Sequence, residues 1–320
     1  MVLIAIAVLF TVSPVKAEWF SHEFDVMGTR AKVEFEHNSA PQAKKLIQQV
    51  VDEMNRIDHL MSPFKPDSEL SKINRLAAKS ALVISGEMFS LLEQSLHYSH
   101  LTKGAFDITF SSVGYLYDFR NKIKPNKREK EGLVASIDFR SIRLDKVTKT
   151  IKFNNLKTKI DLGGIAKGHA VDQCIALLRL QGIKNAFVSA GGDSRVIGKK
   201  NDRLWYIGIK HPRDKNKLVV NLPLEEVAIS TSGDYERFFI QDGVRYHHII
   251  DPKTGDSARS SQSVTILADT STDADALSTS IFVLGPVRGM DLVNQLPNIS
   301  AIIIDKNGKM TFSDDLTNAK

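Results

Sequence analysis

From residue 133 onward the chain reads as a procession of short strand-like runs: "SIRLD", "TIKF", "TKIDL", "AFVSAGGD", "WYIGIKHP", "EVAISTSGDYERFFI", "YHHIIDPKTG", "SVTILA" and "AIIIDKNGKM". Each is rich in β-branched or aromatic residues and is bounded by Gly, Asp, Asn or Ser, the signature of strands joined by turns. Only two helical stretches interrupt them, 165–181, which stops at Gly182, and 273–284. A doubly wound sheet needs strands and helices in strict alternation, and that alternation is absent. The N-terminal part has a different balance. "HEFDVMGTRAKVEFEH" gives strands about a turn near Gly28. Leu46, Val50, Met54, Ile57 and Met61 then recur at helical spacing over 41–61, and "GEMFSLLEQSLHYSHLTKG" predicts a second helix over 86–104 with Gly104 as its stop. "AFDITF" reads as a strand. The expected fold class is α+β, in mixed α/β layers, as one domain over residues 18–320.

The bulk numbers exclude little but do exclude something. At 320 residues, 42% hydrophobic and 25% charged, the chain has ample core. Its net charge of +6 is scattered. The densest basic run, "NKIKPNKREKEG" (121–132), carries acids and no aromatics, so it reads as a solvated loop and nucleic acid is not an expected partner. The single cysteine, Cys174, cannot form an internal disulfide and falls on the apolar side of its helix. The opening "MVLIAIAVLF" is too short to span a bilayer comfortably and fits the core of an export signal; "VKA" places the cut after Ala17. The expectation is a signal over 1–17 and a periplasmic protein, peripheral to a membrane at most. A buried N-terminal strand is the alternative.

Four stretches carry candidate chemistry. In "KIDLGGIAKGHA" (159–170), Asp161, a Gly-Gly pair and Lys167 sit where a strand meets a helix. Bare backbone and helix-start N–H groups attract anions, and Lys167 can reach a phosphate; an Asp cap with a glycine turn reads equally well. In "STDADALSTSIFVLG", Ser271 or Thr272 can cap a helix, while Asp275 and Thr279 are four residues apart on one face and offer hard oxygens suited to Mg²⁺. In "RYHHIIDPKTG", His247 and His248 face opposite sides by strand alternation, and one directed inward suits a general base. Asp107 and Asp193 each follow a strand-like run and can bind a ligand or cap a turn.

Taken together, "FDVMGT", "SELSKIN", "GAFDIT", "IDLGGIAKG", "SAGGD", "TSGDYER", "HIIDPKTG" and "TDADALSTSIFVLG" resemble the ApbE family of FAD:protein FMN transferases, in that family's order, over residues 24 to 285. The resemblance implies mixed sheets flanked by helices, with FAD bound in a cleft between subdomains. It implies that FAD is the substrate, Mg²⁺ the cofactor, and AMP the leaving product. The acceptor is a threonine or serine of a partner flavoprotein with an FMN-binding domain, such as a redox-pump subunit or an extracytoplasmic reductase. By position, Met27, Ala105, Phe106, Asp107, Asp161, Lys167 and His248 contact FAD. The Gly164 carbonyl, Asp275 and Thr279 hold the metal. His248 and Asp275 are the catalytic pair, His248 as general base. Two other activities fit the same residues: a Mg²⁺-dependent FAD pyrophosphatase, in which water replaces the hydroxyl, and a periplasmic FAD carrier.

Overall fold

The computed structural model describes residues 17–317, so the apolar segment expected to act as an export signal lies outside the described residues except for Ala17. Strands β1 (Glu18–Val26) and β2 (Thr29–His37) form a hairpin. Its two turn residues, Met27 and Gly28, have φ of 53° and 68°. Left-handed backbone at both positions matches the twist of a two-residue hairpin; Gly28 adopts it freely and Met27 does so at a cost. Helix α1 (Ala40–Met61) buries Leu46, Val50, Met54, Ile57 and Met61, the stripe that the spacing predicts. Helix α2 (Glu69–Leu76), strand β3 (Leu82–Val83) and helix α3 (Gly86–Leu101) follow. Ser68 and Ser85 cap the two helices by accepting from the Ser71 and Met88 N–H groups. Next come α4 (Ser111–Gly114), α5 (Lys127–Val134), β4 (Ile142–Asp145) and β5 (Thr150–Phe153).

The second half opens with α6 (Ala166–Leu180), β6 (Ala186–Ala190) and β7 (Asp193–Ile197). Hairpin β8 (Trp205–Lys210) and β9 (Leu218–Leu224), strand β10 (Ala228–Gly233), and hairpin β11 (Phe238–Gln241) and β12 (Val244–His247) come next. The chain closes with β13 (Ser261–Ala268), α7 (Ser271–Leu284), α8 (Pro286–Val293), β14 (Ser300–Asp305), β15 (Met310–Phe312) and α9 (Asp314–Thr317).

Eight strands make the main sheet, in the order β1-β2-β6-β7-β10-β13-β14-β15. Among the described residues every pair of neighbouring strands is antiparallel, so the mixing lies between layers of helix and sheet. Helices α1 and α6 pack Val50, Met54, Cys174 and Leu178 against Val33, Phe35 and Val188 of β2 and β6. Helix α7 packs Leu277, Ile281 and Phe282 against Val264, Ile266 and Ile303 of β13 and β14. On the opposite face, hairpin β8–β9 brings Trp205 and Ile209 onto Val196, Ile229, Leu267 and Ile302. Strand β13 is therefore covered on both sides, which is why "SVTILA" lacks a polar alternation.

Several local expectations need correction. "AFDITF" is not a strand: residues 108–110 form a 3₁₀ turn capped by Asp107. "TKIDL" is extended but joins no ladder. Its backbone finds scattered partners instead: the Lys159 N–H donates to Ser112 Oγ, the Ile160 N–H to Asn74 Oδ1 and the Asp161 N–H to the Ile108 carbonyl, and the Asn74 amide donates back to the Ile160 carbonyl. The basic run is not all loop, because Asn126 and Glu129 form a capping box that starts α5, a helix with no buried residue. The N-cap of α7 is Thr270, not Ser271 or Thr272.

Candidate active site

Helices α6 and α7 cross at Gly168. An added Cβ there lies 2.2 Å from the Ser271 carbonyl oxygen and 2.9 Å from Asp275 Cβ, so only glycine lets the two helix starts meet at this distance. Asp172 of α6 fixes the start of α7 from outside: it accepts from the Ser271 and Thr272 N–H groups at 3.0 and 2.8 Å and pairs with Arg195 at 2.6 Å. The crossing sets Asp275 against the open first turn of α6, where the Gly168 N–H donates to Asp275 Oδ2 at 3.1 Å. The anion at that helix start is thus the protein's own carboxylate. Lys167 Nζ lies 3.4 Å from both Asp275 oxygens and 2.5 Å from Asp193 Oδ2.

Two buried carboxylates therefore share one ammonium. Burial, then the charge of Asp193, pushes Asp275 up to about 7, against the pull of Lys167 and the Gly168 N–H. Burial would lower the Lys167 ammonium, but Asp193 and Asp275 more than offset it and hold the group charged. With both carboxylates ionised the local balance is one negative charge in excess, which a proton on Asp275 or a bound cation relieves. The oxygens beside it suit a hard cation. A Cβ on Gly164 would lie 3.2 Å from Thr279 Oγ1 and 3.3 Å from Phe106 Cε2. The Gly164 backbone and the Thr279 hydroxyl are therefore neighbours, and a side chain at 164 would fill the space between them. Carbonyl, hydroxyl and carboxylate are the donor types that Mg²⁺ takes, and the donor set fits that ion. Among the described residues no group of three or more His, Cys, Asp or Glu side chains is placed to hold a metal.

A cleft of about 1040 Å³ opens over this cluster, at the upper end of the range of about 300–1,000 Å³ for small-molecule sites. All ten predicted site residues line it: Met27, Ala105, Phe106, Asp107, Asp161, Gly164, Lys167, His248, Asp275 and Thr279. They come from the β1–β2 turn, the loop after α3, the segment before α6 together with its first turn, the residue after β12, and α7. Their local duties differ. Asp107 Oδ1 accepts from the Thr109 N–H and hydroxyl at 2.8 and 2.6 Å, and Oδ2 from the Phe139 N–H at 2.9 Å. Burial raises it to about 6 against those bonds. Its carboxylate holds the 105–110 turn, and the turn presents Ala105 and Phe106 to the cleft. Asp161 Oδ1 accepts from the Gly163 N–H at 2.6 Å, which closes a local turn and not a helix cap, because the N-cap of α6 is Ile165 and it carries no side-chain bond; Asp161 also lines the cleft. Burial raises it, while that N–H, Arg237 and Lys167 pull it down.

The two histidines part company as strand alternation predicts. His247 is 3% exposed, and its Nε2 lies 2.6 Å from the Ala258 carbonyl. His248 lines the cleft, and among the described residues its buried Nδ1 has no hydrogen-bond partner. An orphaned buried nitrogen costs about 1–3 kcal/mol until something meets it. Burial, then His247, Arg237 and Lys167, lowers His248 to about 3. The fold disfavours the imidazolium and leaves a neutral ring with Nδ1 open to a donor.

Asp193, in the sequence only a candidate for ligand binding or a turn cap, is set by the fold against Lys167, and two further cleft residues have no assigned part in the motifs. Phe64, 85% exposed, stands at the cleft wall in the proline-flanked "SPFKP". An aromatic between two prolines in a loop is the signal that could have marked it. Arg237 reaches the Gly28 carbonyl at 3.3 Å and lines the same wall.

The model of the ApbE family matches residues 27–303. The FAD:protein FMN transferase of Treponema pallidum is 32% identical over 300 residues, covering 87% of this chain and 82% of its own length. That of Vibrio cholerae is 31% identical, with 88% and 87% covered. Among solved structures, the ApbE protein of Thermotoga maritima superposes with a TM-score of 0.87 at 32% identity, covering 94% of this chain and 98% of its own. The flavin transferase ApbE of Vibrio cholerae gives 0.85 at 28%, with 94% and 99% covered.

Proposed function

The chain belongs to the ApbE family and is a flavin transferase, and on that premise we propose that it cleaves the FAD pyrophosphate with Mg²⁺ bound and esterifies FMN to a threonine or serine of a partner flavoprotein. The observation that carries this reading is the convergence in one cleft of the Gly164 backbone, Asp275, Thr279, Lys167 and a neutral His248.

The acceptor hydroxyl oxygen attacks the phosphorus on the FMN side. The bond from that phosphorus to the bridging oxygen breaks, and the bridging oxygen leaves with AMP. His248 takes the hydroxyl proton. Lys167 lines the cleft as an ammonium shared with Asp193 and Asp275, so positive potential beside the phosphates would come from the cation that completes this cluster. Asp275, Thr279 and the Gly164 carbonyl would hold the cation. When bound, that ion supplies Lewis-acid neutralisation of the two phosphates and of the charge gained by AMP. The turn 105–107 and Met27 form the wall against which the flavin half is oriented. The apolar run in residues 1–10 supports a periplasmic site for the reaction.

The test is Asp275→Ala in the full exported chain. Its melting temperature should stay within a few degrees of wild type, and Mg²⁺-dependent FMN transfer should fall by about 10³-fold or more. Near-normal transfer by the variant would overturn the assignment. Product analysis separates the activities: FMN on protein marks transfer, free FMN with AMP marks hydrolysis, and intact bound FAD marks carriage.

A further inference from the structure

A line of hydroxyl groups runs from Asp193 to Thr279. Asp193 has a side chain 2% exposed. Its Oδ2 faces Lys167, and its Oδ1 accepts from Ser230 Oγ at 2.5 Å. Ser230 Oγ lies 3.0 Å from Ser278 Oγ, Ser278 Oγ 2.9 Å from Ser232 Oγ, and Ser232 Oγ 3.3 Å from Thr279 Oγ1. Each hydroxyl has one proton and two lone pairs, so the direction of the whole line is decidable.

A carboxylate paired with an ammonium can only accept. The Ser230 proton is therefore fixed on Asp193. In the Ser230–Ser278 contact the only proton available is that of Ser278. The Asp275 carbonyl, 3.1 Å away, is also within reach of that proton, but as a carbonyl inside α7 it has the helical N–H four residues on as a partner, whereas the Ser230–Ser278 contact has no other proton. Turning the Ser278 proton to that carbonyl or to Ser232 would leave two buried oxygens 3.0 Å apart with no proton between them, the arrangement that a dry interior penalises most. Ser232 must then donate to Ser278, and Thr279 must donate to Ser232.

From this we infer that Asp193 is a positioning residue: through Ser230, Ser278 and Ser232 it turns the Thr279 proton away from the Gly164 backbone, so that Thr279 Oγ1 meets the cleft with lone pairs only. An oxygen so oriented accepts a cation or a donor group and gives no proton to a phosphate. The inference rests on the cation reading of the site.

The experiment is a titration with Mn²⁺ alone, followed by the loss of free-ion electron paramagnetic resonance signal. It uses the full chain and the variants Thr279→Ala, Ser232→Ala, Ser278→Ala and the double variant Ser232→Ala/Thr279→Ala. The single serine variants should each weaken Mn²⁺ binding about tenfold, with melting temperatures within a few degrees of wild type. The double variant should bind no more weakly than Thr279→Ala, because Ser232 acts only through Thr279. Wild-type affinity in Ser232→Ala and Ser278→Ala, beside a weakened Thr279→Ala, would overturn the inference and leave the cation site standing. So would additive losses in the double variant. Wild-type affinity in Thr279→Ala would remove Thr279 from the site and take both readings with it.

Discussion

At His247 the ring Nδ1 accepts from the Ile249 N–H at 3.3 Å, which leaves Nε2–H to donate to the Ala258 carbonyl, and the ring meets Phe282 edge-on at 5.5 Å. Burial first lowers this imidazole to about 4. A histidine depressed in the fold contributes stability that is present above its unfolded value near 6.5 and is lost as pH falls toward 4. Between pH 6.5 and 5 the unfolding free energy of wild type should therefore fall more steeply than that of His247→Gln, by about 1.4 kcal/mol per pH unit. Denaturant melts at several pH values check this; parallel slopes would contradict it. Its neighbour should behave otherwise. His248→Ala should lower the transfer rate by about 10²–10⁴-fold, the usual range for a general base, with FAD affinity changed far less. Sequence alternation sufficed to send the two rings to opposite sides. It did not say which entered the cleft, because that depends on the partners that residues 257–258 and α7 supply to His247.

Among the elements, the crossing of α6 and α7 carries the site. Gly168→Ala forces a methyl group to 2.2 Å from the Ser271 carbonyl, and backbone cannot yield as a flexible side chain does. The variant should lose about 1–3 kcal/mol or more of stability. It should also lose transfer activity beyond that loss, because Asp275 moves off the α6 start. Melting and transfer assays on one preparation check both. The helices α1, α3, α6 and α7 were legible because their apolar faces repeat at the helical period. "AFDITF" and "TKIDL" misled because a short alternating run looks the same whether its N–H groups meet a strand or the side chains of Asn74, Ser112 and Asp107. Asp172, which fixes the start of α7 from 99 residues away, had no local sign at all.

On the scale of the whole molecule, an antiparallel sheet with helices on one face gathers five distant segments around one cleft. The family was legible as motifs, since each motif is local, and those motifs named ten residues that the fold brings to one cleft. Their arrangement was not: the pairing of Lys167 with both Asp193 and Asp275, and the hydroxyl line to Thr279, arise only when β7, β10, α6 and α7 meet. Phe64, exposed at the cleft wall, should matter to ligand binding rather than to folding. Phe64→Ala should weaken FAD binding by roughly tenfold, the loss of one aromatic contact, without lowering the melting temperature; fluorescence titration with FAD checks it. The most direct test of the account is the intact mass of an acceptor flavoprotein domain incubated with this protein, FAD and either Mg²⁺ or excess chelator. The account predicts an acceptor heavier by FMN less one water, at a single threonine or serine, with Mg²⁺ only. An unmodified acceptor beside accumulating free FMN and AMP, or the same adduct in chelator, would contradict it.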